Sequence, residues 1–290
     1  DNLYIMGHHI GDNDSFGAAI GLYRVGKTIG KKTHIVLGDV SGSVVPLVDE
    51  FKNSDLYDED MFITGPEAVS EMTKNDALII VDCNRASYTE YPELVRRAQC
   101  IIVFDHHRRS SDTITGAVLS YVDPYASSAC EMVTEMIQYV DDGIKLKAFE
   151  ADALYAGISI DTDGFNSKSG PRTFEAAAFL RRHGADVTRV RKMLRNDMNE
   201  YKAIASAVSK SEVYKSAFAI TVFDGEGLES PTIGGAKAAN QLLDISGIKA
   251  SFVITQYEDK LYISARSIDE VNVQLVMEKL GGGGHMSIAG

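Results

Sequence analysis

The residues able to do chemistry in this chain gather where apolar runs stop. Asp105-His106-His107 closes the run Cys100-Ile-Ile-Val-Phe104. Leu3-Tyr-Ile-Met6 runs into His8, Asp12 and Asp14, Ala77–Val81 into Asp82, and Ala153–Ile160 into Asp161. Carboxylates and imidazoles without thiolates suit Mn²⁺, with Mg²⁺, Co²⁺ and Fe²⁺ as alternatives. His8, Asp12, Asp14, Asp82, His106 and Asp161 are enough for two cations about 3.5–4 Å apart sharing one carboxylate. Such a pair lowers the pKa of a bridging water and steadies a phosphoryl oxygen. His107 follows a ligand candidate directly and is suited to meet a scissile phosphate or pass a proton. Asp105 is expected to orient a ligand rather than bind metal. Any one aspartate could be only a helix cap. The joint pattern argues otherwise, because five of the seven histidines (8, 9, 106, 107 and 285) fall in three motifs.

A second group lies near the other end. Gly281-Gly-Gly-Gly-His285 would let the backbone approach a phosphate or base closely. Arg266, in Ile263-Ser-Ala-Arg266, could fork to a phosphate. Arg85, Arg108, Arg109, Lys168 and Arg172 are further cations beside the ligand motifs. Cys83 reads as a small buried residue rather than a nucleophile.

Positioning these groups requires a frame. Strands are expected at 3–6, 33–37, 61–64, 77–82, 101–105 and 118–122, with helices at 15–29 and 127–139, the latter capped by Ser127 or Ser128. Short apolar runs alternating with helices predict a mainly parallel α/β sheet, whose sites lie outside the carboxyl ends of its strands. The run before Asp161 reads as one more buried strand by its apolar composition, although the pattern turns helical from Ala148. A second, smaller α/β pattern follows: a strand at 217–223, a helix near 235–243, strands at 251–256 and 261–266, and a helix at 271–280. The expected division is a catalytic domain at 1–185, a helical linker at 186–210 and a substrate-binding domain at 211–290, with the active site in the cleft between the domains.

The composition, 44% apolar and 24% charged over 290 residues, is that of a folded globular chain. A formal net charge of −12 argues against a general grip on long nucleic acid, but not against a small phosphate ester held through cations. The three unclustered cysteines fit a reducing compartment and show no zinc spacing. Without an apolar run of about 18 residues, no membrane span is expected.

His8-x-x-x-Asp12-x-Asp14, Asp82, Asp105-His106-His107 and Asp161 resemble, in order, the four motifs of the DHH phosphoesterase superfamily. Residues 211–290, with Ser264-Ala-Arg266 and Gly282-Gly-Gly-His285, resemble its DHH-associated domain. Val81-Asp-Cys-Asn-Arg85, Asp105–Arg109, Ala126–Val133 and Gly170–Ala178 look most like the catalytic module of cyclic-di-AMP phosphodiesterases of the GdpP (YybT) type. Gly11 departs from the proline usual before the first aspartate. The resemblance implies hydrolysis of cyclic di-AMP to linear pApA by a metal-bound hydroxide, with two Mn²⁺ ions. His8 and Asp12 would hold one ion, Asp14, His106 and Asp161 the other, and Asp82 both. His107, Asp105 and Arg266 would assist catalysis. Arg108, Arg266, Gly282, Gly283, Gly284 and His285 would contact the substrate. A homodimer is expected, as the cytoplasm-facing piece of a longer protein anchored in a bacterial membrane. The rival readings are a nanoRNase/pAp-phosphatase type acting on short linear oligonucleotides, and a non-catalytic cyclic-dinucleotide sensor. A manganese pyrophosphatase and a RecJ-like exonuclease fit less well.

Overall fold

Strand β1 (Asn2–Met6) is hydrogen-bonded on both sides, to β2 (Lys32–Val36) and to β4 (Ala77–Val81), and the whole first sheet grows outward from it. With β3 (Phe62–Ile63), β5 (Cys100–Asp105) and β6 (Leu119–Val122) the order is β3-β2-β1-β4-β5-β6, every pair parallel. All six expected strands are therefore present in one parallel sheet. The direction of winding reverses between β1 and β4, which opens a crevice at their carboxyl ends. The computed structural model describes residues 2–40, 42, 44–140, 144–195, 197–228, 230–268, 270–284 and 286–290.

Strand side chains alternate between two cores. Ile5, Ile35, Ile79, Val81 and Phe104 pack beneath α1 (Asn13–Thr28), α2 (Val45–Lys52), α5 (Ala129–Val140) and α6 (Ala148–Asp161). Tyr4, Met6, Leu78, Ile80 and Val103 pack on the other face with Ala68 of α3 (Gly65–Glu71) and Leu94 of α4 (Pro92–Arg97). Ser128 caps α5, its hydroxyl accepting from the amide of Glu131 at 3.0 Å. The expected strand before Asp161 is corrected: Ala153–Ile160 lies within helix α6. Ala151, Ala153, Leu154, Ala156, Gly157 and Ile158 are all buried there, because α1, α5, α7 (Pro171–Arg182) and α8 (Val187–Met193) surround the helix. An all-round apolar helix reads in sequence like a buried strand.

The chain divides into units Asp1–Leu194 and Arg195–Gly290. Within the segment expected as a linker, α8 belongs to the first unit and α9 (Met198–Ser209) to the second. The second unit has a five-stranded sheet of order β11-β10-β9-β8-β7. Its strands are β7 (Glu212–Tyr214), β8 (Phe218–Phe223), β9 (Ala250–Tyr257), β10 (Lys260–Ser267) and β11 (Ile288–Ala289), and only the β8–β9 pair is parallel. Helices α9 and α10 (Pro231–Leu243) bury Phe223, Leu242 and Val253. Val273 and Met277 of α11 (Val273–Glu278) pack with Ala250 and Ala265. Among the described residues, no helix is long and apolar enough to cross a membrane.

Candidate metal centre

The chain leaves β1 through Gly7 and reaches Asp12, the N-cap of α1. Asp12 Oδ1 accepts from the amides of Asp14 (3.1 Å) and Ser15 (3.0 Å), which leaves Oδ2 to face His8 Nε2 at 3.5 Å. The cap reading and the ligand reading of this residue thus use different oxygens. Asp14, in the first turn of α1 and wholly buried, accepts from the amides of Ala129 (2.6 Å) and Cys130 (2.8 Å) in the first turn of α5. That positive helix end suits a carboxylate.

Asp82 follows β4 directly and has a left-handed backbone, φ 55°. A non-glycine residue there is strained by about 1–3 kcal/mol and is held by its surroundings. Its amide donates to Phe104 O at 2.8 Å. Its carboxylate points both ways: Oδ2 is 3.5 Å from His8 Nε2, and Oδ1 is 3.2 Å from His106 Nε2. His106 Nε2 is also 3.4 Å from Asp161 Oδ2 and 3.7 Å from Asp14 Oδ2. Asp161 reaches this cluster from the end of α6. Two donor groups result, His8–Asp12–Asp82 and Asp14–His106–Asp161, and in each the ligand atoms lie within 4.8 Å of one another. A third such group joins Asp82, His106 and His107.

The donor set fits divalent cations. Asp82 Oδ1 and His106 Nε2 are buried and face each other, yet neither has a hydrogen-bond partner among the described residues. Buried polar atoms are seldom left this way. Protonation tells the same story. Burial disfavours a charged His8, but Asp12 and Asp82 outweigh it and push its pKa up to about 12. Burial likewise opposes charge on His106, and Asp82, Asp14 and Asp161 raise it to about 10. Burial, then the charge of Asp82, lifts Asp14 to about 6, while burial and the neighbouring Asp14 and Asp82 lift Asp161 well above the carboxylate range. Asp82 goes the other way: burial opposes its charge, but His106 and His8 hold its pKa below the usual range. In the ion-free site, protons stand where cations would compensate the crowded carboxylates.

Around this cluster, His107 is half-exposed, and its Nδ1 lies 2.9 Å from Asp105 Oδ1 and 3.4 Å from Asp82 Oδ1. Asp105 is fully buried and also accepts from the His107 amide at 3.1 Å, so it orients His107 rather than reaching the cluster. Asn84, to which the sequence assigned no role, is 2% exposed and donates through Nδ2 to Asp105 Oδ2 and to His107 O. Nothing in the local sequence marks it, since its burial and both its acceptors arise only in the fold. Arg108 is exposed, with no partner among the described residues. Of the other cations, Arg172 is committed elsewhere: it forks to Glu135 at 2.6 Å and reaches Asp123 at 2.7 Å. Arg85 lies over the Tyr88 ring at 4.5 Å. Cys83 is buried, and burial pushes its thiol up to about 11, against a nucleophilic role.

In the second unit, Arg266 on β10 is half-buried. Its Nε donates to Asn240 Oδ1 on α10 at 2.9 Å and Nη1 to Ala265 O at 3.0 Å; among the described residues no carboxylate pairs with it. Burial lowers its pKa, as expected of a guanidinium short of counter-charge. In the glycine tract, the amides of Gly281, Gly282 and Gly283 donate to Glu278, Met277 and Gly290 carbonyls. Gly284 has φ 138°, a left-handed value that a side chain would strain. His285 lies outside the described residues.

The family model described as "DHH family, N-terminal domain" matches residues 2–158, and the one described as "DHHA1 domain" matches residues 216–290. The chain is 37% identical over 292 residues to the cyclic-di-AMP phosphodiesterase PdeA of Listeria monocytogenes, covering 100% of this chain and 44% of that protein. It is 39% identical over 294 residues to the cyclic-di-AMP phosphodiesterase GdpP of Bacillus subtilis, covering 99% of this chain and 44% of that protein. The chain thus spans less than half the length of these curated relatives. The crystal structure of an exopolyphosphatase-related protein from Bacteroides fragilis has the same fold: the TM-score is 0.80 at 18% identity, over 100% of this chain and 86% of that one. The family models cover the ends of β1, β4 and β5, with His8, Asp12, Asp14, Asp82 and His106, stop three residues short of Asp161, and cover Arg266; the chain belongs to the DHH family.

Proposed function

We propose that this chain is a two-cation phosphodiesterase that hydrolyses cyclic di-AMP to linear pApA. The observation that carries the reading is Asp82, whose two carboxylate oxygens, held on a left-handed turn, each face a different imidazole, His8 and His106. That is how a carboxylate shared by two cations must stand. End-to-end similarity to two proteins named cyclic-di-AMP phosphodiesterases supports the substrate.

In this reading His8, Asp12 and Asp82 hold one cation, and Asp14, His106, Asp161 and Asp82 hold the other. Mn²⁺ suits the oxygen and imidazole donors best. Bound there, the pair supplies Lewis-acid charge to a phosphoryl oxygen and lowers the pKa of a water. Asp105 holds the Nδ1 side of His107, so the ring presents Nε2 to a phosphate oxygen. Arg108 and Arg266 supply charge to the substrate phosphates. With three of its amides used within the chain, the glycine tract contributes close approach of the backbone, together with His285. We further place the chain as a domain of a longer, membrane-anchored homodimer, facing the cytoplasm; the greater length of the relatives supports the first part of that statement.

Product analysis tests the proposal. With Mn²⁺, cyclic di-AMP should yield pApA faster than cyclic di-GMP or pApA is consumed. Consumption of pApA or pAp with cyclic di-AMP untouched would instead indicate an oligonucleotide or pAp hydrolase. Binding of cyclic di-AMP without turnover would indicate a sensor.

A further inference from the structure

Asn84 is not a ligand candidate, yet it is as deeply buried as Asp82, at 2% exposure. Both acceptors of its Nδ2, Asp105 Oδ2 and His107 O at 3.1 Å, can only accept, which fixes the orientation of the amide. Its backbone carbonyl accepts from Ile114 N at 2.8 Å, and Thr113 Oγ1 lies 3.5 Å from its Oδ1. The residue is thus held from its own side and grips the Asp105–His107 turn from the other. Asp105, wholly buried, accepts through Oδ2 from Asn84 and through Oδ1 from the amide and ring of His107. With the Asn84 amide removed, Oδ2 would have no protein donor among the described residues, and the carboxylate could rotate away from the imidazole.

We propose that Asn84 is a positioning residue for the phosphodiester reaction. By fixing the Asp105 carboxylate and the His107 carbonyl, it sets the ring plane and tautomer of His107, with the proton on Nδ1 and Nε2 directed outward. This rests on the reading of His107 as the group that meets the substrate phosphate. Removing an outer hydrogen-bonding partner of this kind costs on the order of 10- to 100-fold in activity.

The test compares Asn84→Ala, His107→Ala and the double variant with the wild-type protein, all loaded with Mn²⁺ and assayed on cyclic di-AMP. The expected outcome is a 10- to 100-fold lower kcat for Asn84→Ala, a KM within about two-fold of wild type and unchanged metal content. The double variant should be no slower than His107→Ala alone, because Asn84 acts only through that ring. Independently of turnover, ¹⁵N spectra of the imidazoles in a diamagnetic Mg²⁺ form should show the His107 proton on Nδ1 in the wild type and a mixture of tautomers in Asn84→Ala. Multiplying losses in the double variant, loss of metal, or an unchanged tautomer in Asn84→Ala would each overturn the proposal. Full activity of His107→Ala would instead remove the role given to His107, and the spectra would still decide whether Asn84 positions the ring.

Discussion

A Cβ on Gly157 would stand 2.9 Å from the Cα of Asp14 and 3.0 Å from Asn13 O, so α6 meets the start of α1 backbone to backbone. Asp14 begins one side of the ligand cluster and Asp161, one turn beyond Gly157, completes it. The absence of a side chain at residue 157 therefore sets the spacing of two ligand candidates.

Gly157→Ala should push α6 away from α1 and draw Asp161 back from His106. Overpacking of this kind costs about 1–3 kcal/mol. A lower thermal midpoint together with weaker binding of one Mn²⁺ equivalent is expected, read by calorimetry. Full occupancy of both ions in a stable variant would show that the helix contact does not set the ligand spacing.

Asp82→Ala should abolish turnover and strip metal from both positions, since its two oxygens face His8 of one donor group and His106 of the other. Elemental analysis after dialysis reads the outcome directly. Retention of two ions at normal occupancy would remove Asp82 from the shared position.

Metal affinity should rise with pH. In the ion-free protein His8 and His106, with pKa values of about 12 and about 10, are protonated at neutral pH, and a cation must displace both protons. Raising the pH toward those values weakens the competitor, so affinity increases by about ten-fold per pH unit for each proton displaced. Calorimetric titration of Mn²⁺ near neutral pH, in buffers of different ionisation enthalpy, should count at least two protons released, one from each imidazole, with a further contribution from Asp161. Release of none would mean that the imidazoles are already neutral.

Arg266→Ala should leave both ions bound and weaken cyclic di-AMP binding by about 10- to 100-fold, the loss of a charge-assisted contact. A small generic ester such as bis-p-nitrophenyl phosphate should be hydrolysed nearly as well by the variant as by wild type. Equal loss of both activities would place Arg266 in the catalytic centre itself.

Legibility of these features followed the range of the interactions behind them. The runs before His8, Asp82 and Asp105 are short strands whose ends lie within a few residues of the ligand candidates, so local pattern located both. The run before Asp161 was equally visible as apolar, and the helical pattern from Ala148 located its helix, but neighbours bury most of its length, so apolar composition alone reads as a strand. Asn84 carries no local signal of its task, which exists only where the end of β5 comes alongside. β7 and β11, at three and two residues, take their extended form from the strands they pair with rather than from their own composition.

The pairing of β1 with β4 joins segments separated by 74 residues, as the Asn2–Asp76 hydrogen bond also does. A nascent or truncated chain that ends before Val81 can form α1 with its Asp12 cap, but it lacks Asp82 and has no seam between β1 and β4. The His8–Asp12–Asp82 group therefore requires the non-local pairing of β1 with β4, a kind of contact that closes slowly. Cations would then add to the stability of the finished unit without speeding its formation: refolding rates should be insensitive to Mn²⁺, and unfolding rates should fall with it.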